Sequence, residues 1–338
     1  MRGPLWLPVL LVALPLVAEE KKKEPIRLPE IVVTPTRRNA DPFSVPYAVT
    51  VFGEDEIQRE RSPRQLTDLL EEVPGVMVQK TGYGQSSPFI RGFTGYRTLL
   101  LVDGIRVNNS VFRPGPNQYW ATVDGLTVSR LEVLKGPASA LYGSDAVGGT
   151  VNALTRKRDP ADGGGWERRV FFRLASAEHS NTERLELSGV PTKNLGVLAG
   201  FSRKDYGDLR AGSPTGRQDY TGYDERDWDA NLVYRFNPDT ALTFAHQQVR
   251  LIDAPRTHST VYAESFYGTL VGTDLLRELD QSRDLTYLKL ETENAGDLFD
   301  KGTFTLSRQF QGEQQDRISA TSLDFQGFGV ETFGASGQ

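Results

Sequence analysis

Residues 159–338 contain a series of segments in which apolar and polar side chains alternate. In WDANLVYRF (228–236) every even-numbered residue is apolar, and all but one of the odd-numbered residues are polar. Successive side chains of a strand point to opposite faces, so this period of two predicts strands with one apolar and one polar face. Similar runs lie near residues 168–176, 182–190, 195–202, 240–250, 284–292 and 303–310. The pattern therefore predicts about seven strands.

The connections between these strands alternate in length. Short ones such as VPTKN (190–194) and FNPDT (236–240) are interspersed with longer polar stretches at 204–226 and 251–283. Two architectures produce this pattern: a soluble sandwich or barrel, and a membrane barrel with short turns at one end and long loops at the other. The regular alternation favours the membrane barrel, in which tilted strands of about 9–11 residues cross the bilayer.

The N-terminus has the features of an export signal. One Arg precedes an apolar run from Leu5 to Val17, and the charged sequence EEKKKE follows. This run is shorter than the roughly 20 residues of a membrane-spanning helix, so we expect residues 1–18 to be a signal peptide cleaved after Ala18. Residues 19–40 contain three prolines and no sustained periodicity, which predicts an extended arm.

Residues 41–158 predict a compact α/β domain. YAVTVFG (47–53) is typical of a strand, and SPRQLTDLLEEVPGV (62–76) predicts a helix with Ser62 as its N-cap and leucines 66, 69 and 70 on one face. TLLLVDGIRV (98–107) predicts two strands joined by a tight Asp-Gly turn. VSRLEVLKGP (128–137) predicts a further strand that ends at Gly-Pro.

The composition excludes several kinds of site. Without cysteine there is no disulfide and no thiolate metal site, and three scattered histidines do not predict a histidine metal site. The net charge of −5 gives no signal of nucleic-acid binding. The glycine-rich YGSDAVGGT (142–150) lacks the lysine and spacing of a P-loop, and no segment resembles a nucleophile elbow. We therefore expect no enzymatic activity, no cofactor and no resident metal.

Three motifs resemble those of a known family. FIRGFTGYRTLLLVDGIRV (89–107) and VSRLEVLKGPASALYGSDAVGGTVN (128–152) are similar to the two signature segments of the plug domain of TonB-dependent outer-membrane receptors. EIVVTPTR (30–37) resembles that family's TonB box. The resemblance implies an α/β globular plug followed by a transmembrane antiparallel β-barrel of about 22 strands. Only the first strands are present, so we expect a truncated chain: signal peptide 1–18, periplasmic arm 19–40, plug 41–158 and incomplete barrel 159–338.

The resemblance assigns a role to the arm. The expected TonB box consists of Glu30, Ile31, Val32, Val33 and Thr34. The flanking prolines at 29 and 35 keep this run a short, isolated strand. Such a strand can add to the sheet edge of a partner, here TonB, the periplasmic protein that delivers energy to these receptors.

The resemblance also assigns a plug-to-barrel lock. The expected lock residues are Arg91, Arg130 and Glu132. They adjoin apolar runs, where an unpaired charge is costly, so ion pairs are expected. Charges on a solvated strand face are the alternative.

The segment NNSVFRPGPNQYW (108–120) is the candidate ligand-contacting plug loop, because plug loops of the family face the outside. Its aromatic and polar residues are Asn108, Asn109, Phe112, Arg113, Tyr119 and Trp120. Ordinary packing of this segment against the barrel wall is the alternative.

The function implied by the resemblance is TonB-dependent active transport across the bacterial outer membrane. A ferric siderophore is the expected cargo, and haem, cobalamin and carbohydrate remain alternatives. The expected partners are TonB, an iron chelate or similar small ligand and outer-membrane lipid, with no nucleic acid and a monomeric state. A non-transporting outer-membrane adhesin or barrel enzyme, and a soluble secreted β-sandwich, are the alternatives of other classes.

Overall fold

The structure, a computed structural model, describes residues 47–112, 115–116, 118–265, 270–293 and 300–338. The predicted signal peptide, arm and TonB box lie outside the described residues. The described chain forms an N-terminal domain and a large antiparallel sheet that packs against it.

Seven short strands form the N-terminal domain. They are β1 (Ala48–Gly53), β2 (Val76–Gly82), β3 (Gln85–Ile90), β4 (Thr98–Val102), β5 (Ile105–Arg106), β6 (Val128–Lys135) and β7 (Gly149–Thr155). Five of them make a mixed sheet in the order β1-β6-β7-β4-β5, in which only β4 and β7 pair in parallel. Strands β2 and β3 form a separate hairpin. Every residue of β4 is buried, as the apolar run that follows Thr98 predicts.

The predicted Asp-Gly turn between β4 and β5 is confirmed. Asp103 and Gly104 have φ values of 53° and 83°. A two-residue hairpin turn of type I′ needs positive φ at both central positions, which Asp tolerates and Gly adopts freely. The turn holds the Asp103 carboxylate at the edge of the domain.

The helical segments of the domain are short. They comprise a π-helix (Glu56–Arg61), 3-10 helices (Leu66–Glu72, Gly95–Arg97, Gln118–Ala121, Gly125–Thr127, Pro160–Asp162) and one α-helical turn (Ser139–Tyr142). The leucines predicted to share a face are buried, but Ser62 is not an N-cap. It ends the preceding π-helix with φ of 44°. The next helix begins only at Leu66, because the Asp68 carboxylate accepts the backbone N–H groups of Arg64 and Gln65.

The large sheet has eight strands, each paired antiparallel with its neighbours in sequence. They are β8 (Trp166–Ala175), β9 (Ser180–Thr192), β10 (Leu195–Tyr206), β11 (Tyr223–Asn237), β12 (Thr240–Pro255), β13 (Asp274–Glu293), β14 (Lys301–Ser319) and β15 (Leu323–Gly337). The sequence pattern predicted about seven of these strands, and the one that it did not predict is β15. The connection predicted at 251–283 is shorter in the structure, because β12 continues to Pro255 and β13 starts at Asp274. Those strand ends carry charged outer residues such as Asp280, which hide the apolar alternation.

The two faces of the sheet differ as the alternation predicted. On β9, Arg184 and Glu186 are buried against the N-terminal domain, whereas Leu185 and Leu187 on the other face are 60% and 44% exposed. On β11, Asp227 is buried and Trp228 is 39% exposed. Apolar groups face outward and polar groups inward, which is the reverse of a soluble sheet and is typical of a sheet with lipid on its outer side.

No helix among the described residues is long and apolar enough to cross a membrane.

One apolar cluster joins the domain to the sheet. Tyr287 and Leu285 of β13 and Ala245 of β12 belong to the same buried cluster as Val102 and Val107 of the domain. The domain therefore makes its apolar contact with the sheet on the inner face of β12 and β13.

Candidate functional site

The inner face of β10 and β11 carries a buried charge cluster that reaches into the N-terminal domain. The Lys204 Nζ lies 2.9 Å from the Asp124 carboxylate of the domain and 3.1 Å from that of Asp227, and it also donates to Glu225. All four residues are at most 4% exposed. The cluster links the domain to two strands of the sheet.

The local fold places Asp124 in this cluster. One carboxylate oxygen accepts the Leu126 N–H at 2.9 Å and so caps the 3-10 helix Gly125–Thr127. The other accepts the Ser202 hydroxyl at 2.7 Å and lies 3.7 Å from Arg184. Burial by itself raises the pKa of Asp124, but the Lys204 and Arg184 charges and the hydrogen bonds outweigh it and hold that pKa below its usual value.

A second charge cluster lies beside the first. Arg156, at the end of β7, pairs with Glu186 of β9, and Arg184 contacts the same carboxylate at 2.7 Å. Glu54 of the domain lies 3.3 Å from Arg156 and 2.5 Å from Arg169 of β8. The two clusters make a continuous polar contact between the domain and strands β8 to β11.

The Asp-Gly turn provides a third polar contact. Asp103 accepts the Thr155 N–H and hydroxyl at 2.9 and 2.7 Å, and the Tyr287 hydroxyl of β13 at 3.0 Å. Lys289 donates to the Asp103 backbone carbonyl at 2.9 Å. Burial by itself raises the pKa of Asp103, but Lys157, Lys289 and the Thr155 hydrogen bonds outweigh it and keep the pKa below its usual value. The sequence analysis did not predict these contacts of Asp103, although a polar turn residue directly after the apolar run of β4 was a usable signal.

The predicted lock residues lie within the N-terminal domain. Arg130 and Glu132 both belong to β6, and their side chains pair at 3.1 Å. Arg91 is exposed, has φ of 53°, and its guanidinium lies near Gly136 of the same domain. A role in contacting the wall stays a prediction for these three residues. The ion pairs between the domain and the sheet described above come from other residues.

The aromatic residues of the predicted ligand-contacting loop are buried. Asn108 binds the backbone of Leu100 and Thr98 within the domain. Asn109 donates to Gln311 of β14 at 2.5 Å. Phe112 packs edge-on against Tyr119 and against Phe328 of β15, with ring centroids 5.1 Å apart in both pairs.

Trp120 is also buried, and Arg113 lies outside the described residues. Asn109 and Phe112 of this loop thus pack against the wall in this structure. Contact with a ligand stays a prediction.

A cavity of about 240 Å³ opens where the β2–β3 hairpin meets the two long connections of the sheet. Its lining includes Arg64, Lys80 and Tyr83 of the domain, Leu209 and Gln218 of the β10–β11 connection, and His258 after β12. His258 bonds the Thr81 backbone carbonyl at 2.9 Å, and Lys80 pairs with Asp68 and Glu71. These residues were not predicted. Only the three-dimensional structure brings the hairpin and the two connections together.

The first charge cluster contains three carboxylates whose spacing bears on metal binding. Carboxylate oxygens of Asp124, Glu225 and Asp227 lie within 4.8 Å of one another, a spacing compatible with a metal ion. The Lys204 ammonium already contacts all three carboxylates and supplies the compensating positive charge. The cluster therefore acts as an ionic contact between domain and sheet.

A family model describes the N-terminal domain. The TonB-dependent receptor plug domain model matches residues 41–150. This range covers β1 to β6 and the start of β7.

Two named proteins are similar to part of the chain. The vitamin B12 transporter BtuB of Vibrio vulnificus (strain CMCP6) is 38% identical over 135 residues, which are 39% of this chain and 22% of that protein. The iron-regulated outer membrane virulence protein of Vibrio cholerae (O395) is 40% identical over 119 residues, which are 34% of this chain and 18% of that protein. The chain thus aligns with less than a quarter of either relative.

A solved structure extends the likeness to the large sheet. The FrpB iron transporter from Neisseria meningitidis superposes with a TM-score of 0.70 and 19% identity, covering 86% of this chain and 45% of that one. At this identity the likeness concerns the fold, a plug domain against an antiparallel sheet. Residues 41–150 are thus a plug domain of the TonB-dependent receptor type, and the large sheet that follows shares its fold with a solved iron transporter.

Proposed function

We propose that the chain takes part in TonB-dependent active transport of a scarce ligand, a ferric siderophore, across the bacterial outer membrane. The observation that carries the proposal is the polar contact between the plug and the inner face of β8 to β11. If the plug moves away from the sheet, water can solvate the charged groups that separate, whereas an apolar contact of the same size would expose hydrocarbon to water. A plug held in this way can shift under force and close again.

The two ends of the sheet support an orientation. Connections at one end are short, such as the one between Asn237 and Thr240, whereas 207–222 and 256–273 at the other end are long. Outer-membrane barrels have short periplasmic turns and long extracellular loops. The proposal therefore places the cavity beside Tyr83 at the outer surface, where a ligand arrives, and the N-terminal arm in the periplasm.

The energy input is proposed to come through the arm. The run Glu30–Thr34 would add a strand to a sheet edge of TonB. A few backbone hydrogen bonds at about 1 kcal/mol each are opposed by about 1–2 kcal/mol of backbone entropy per ordered residue, so this contact is weak and reversible. Val32→Pro removes a strand N–H and should abolish energy-dependent uptake while leaving ligand binding at the cell surface intact. Unchanged uptake by this variant would contradict the proposed role of the arm.

The named relatives leave two ligand classes in competition. One relative is named a vitamin B12 transporter and the other an iron-regulated protein. The solved structure is named an iron transporter. We favour an iron chelate, with a corrinoid as the second candidate because of the partial match to BtuB.

Growth of a deletion strain separates these candidates. The full-length gene, an empty vector and the Val32→Pro variant are compared on a panel of ferric siderophores, haem and a corrinoid as sole sources of iron or corrinoid. Gene-dependent growth on a siderophore, lost in the variant, is the expected result. Gene-dependent growth on the corrinoid alone would replace the ligand class, and growth independent of the gene on every source would contradict transport.

A further inference from the structure

The β10–β11 connection (207–222) folds into a small hairpin of its own. Arg210 forms an antiparallel β-bridge with Arg217, and the Gln218 N–H donates to the Leu209 carbonyl at 2.8 Å. Leu209 and Gln218 also line the cavity of about 240 Å³ where this connection meets the plug hairpin β2–β3. The shape of the connection therefore decides the shape of one wall of the cavity.

The Asp208 side chain closes the base of this hairpin. One carboxylate oxygen accepts the backbone N–H groups of Thr221 and Gly222 at 2.9 and 3.2 Å. The other accepts Nη2 and Nε of Arg217 at 2.6 and 3.2 Å. Burial by itself raises the pKa of Asp208, but these hydrogen bonds outweigh it and hold that pKa below its usual value. The ionised carboxylate thus joins the first residues of the connection to its last residues.

The buried hydroxyl of Thr221 makes a second closure at the same base. It accepts the Leu209 N–H at 2.7 Å and donates to the Gln218 carbonyl at 2.8 Å. Asp208 holds the backbone of Thr221, so the carboxylate and the hydroxyl act on the same turn. The two residues that line the cavity are thus held in place by Asp208 and Thr221.

Tyr220 joins this connection to the other long one. Its φ of 61° lies in the left-handed region, which a bulky residue rarely adopts. Such a conformation costs free energy and persists only where neighbouring contacts enforce it. Asp208 binds the next two N–H groups, and the Tyr220 ring packs on Tyr262 with ring centroids 4.1 Å apart. Tyr262 belongs to the β12–β13 connection, whose His258 also lines the cavity. The contacts that order this wall of the cavity thus come from the chain itself.

We propose that Asp208 is a positioning residue for ligand binding, which holds the β10–β11 connection in its ligand-binding shape before the ligand arrives. This inference rests on the proposed function, in which the ligand arrives at this cavity. A loop that must become ordered on binding lowers the affinity by the conformational entropy that it loses. A connection already ordered by Asp208 avoids most of this loss. It is therefore a preformed wall, and the alternative is a lid that closes over the ligand.

Binding and uptake by the full-length protein test the inference. Whole cells and protein purified in mild detergent are titrated with a radiolabelled ferric catecholate, a ferric hydroxamate, haem and cyanocobalamin. Asp208→Ala removes the four hydrogen bonds of the carboxylate and should weaken binding of the transported compound about tenfold. The half-saturation concentration of uptake should rise by the same factor. The maximal uptake rate should stay unchanged, because the variant loses binding and not the later movement of the plug.

Hydrogen exchange measures whether the connection is ordered before binding. In the wild type, the amides of 209–221 should exchange slowly in the free protein and change little when the transported compound binds. In Asp208→Ala they should exchange about tenfold faster in the free protein and become slower on binding. A role confined to the folding of the protein would not make exchange in this connection depend on the bound compound.

Two variants of the same connection are the controls. Asp219 contacts Arg217 Nε at 3.1 Å, and its side chain is 63% exposed. An exposed ion pair contributes little, so Asp219→Ala should keep wild-type binding. Asp208→Asn keeps an oxygen that can accept the Thr221 and Gly222 N–H groups and loses the charge. It should bind the compound more tightly than Asp208→Ala, which guards against a folding defect of the alanine variant.

The outcomes separate this inference from the proposed function. Equal binding by the wild type and Asp208→Ala, or a lower maximal uptake rate at an unchanged half-saturation concentration, would overturn the inference while leaving transport untouched. A wild-type connection that becomes ordered only on binding would also overturn it, because the connection would then be a closing lid. A wild-type protein that binds and takes up none of the four compounds would overturn both.

Discussion

Replacing Lys204 by methionine tests whether the buried charge cluster holds the plug on the sheet. Methionine keeps an unbranched side chain as far as Cε and removes the ammonium group with its charge and hydrogen bonds. Asp124, Glu225 and Asp227 would then lie within 4.8 Å of one another without the ammonium that contacts them. Removing one partner of a buried ion pair costs about 3–5 kcal/mol. Arg184, 3.7 Å from Asp124, compensates in part, so we expect a loss near the lower end of this range.

Hydrogen exchange of the plug measures this loss where it occurs. Asp124 caps the helix Gly125–Thr127, so release of the cluster should expose the amide of Leu126. A loss of about 3 kcal/mol in local opening corresponds to roughly 100-fold faster exchange. The full-length protein in detergent, analysed by mass spectrometry of peptides covering 122–128, provides the measurement.

A surface lysine provides the matched control. Lys301 pairs with Glu293 at 3.0 Å, and these side chains are 39% and 55% exposed. An exposed pair contributes about 0–1 kcal/mol, so Lys301→Met should leave exchange in the plug unchanged. If Lys204→Met and Lys301→Met gave the same exchange at 122–128, the cluster would not hold the plug and the reasoning would be wrong.

Three further predictions concern the same interface and the plug. Folding lowers the pKa of Asp103, so the ionised carboxylate stabilises the folded protein fully at pH values above the ordinary aspartate pKa of about 4. This stabilisation is lost as the pH falls through the lowered pKa. The difference in melting temperature between wild type and Asp103→Asn should therefore stay constant from pH 8 to about 5 and shrink below about 4. Gly148→Ala should destabilise the plug by about 1–3 kcal/mol in chemical denaturation, since its Cβ would lie 2.5 Å from that of Phe93, whereas Gly53→Ala, with nothing within 4 Å, should not. Calcium should restore slow amide hydrogen exchange at residues 122–128 of the Lys204→Ala variant and leave exchange in the wild type unchanged. The three remaining carboxylates can bind the ion through oxygen atoms about 2.3–2.6 Å away.

The sequence alone determined the local structure wherever one strong pattern dominates. The alternation in WDANLVYRF predicted which residues of β11 face outward, because the period of a strand is two and the environments on its faces differ. Asp103-Gly104 predicted the hairpin turn, because few residue pairs tolerate two positive φ values. The plug signature segments likewise identified the plug domain. These features depend on neighbours in the chain, which the sequence displays directly.

Only the tertiary structure decided which charges join the plug to the sheet. Arg130 and Glu132 pair with each other on β6, and their role in contacting the wall stays a prediction. Asp124 pairs with Lys204, and Asp103 with Tyr287, across 80 and 184 residues. Such pairings depend on how the plug is seated and on strand register, in which a shift of one residue turns every side chain to the other face. A charge in the sequence therefore indicates that a partner is needed, but the packing of the domain on the sheet selects it.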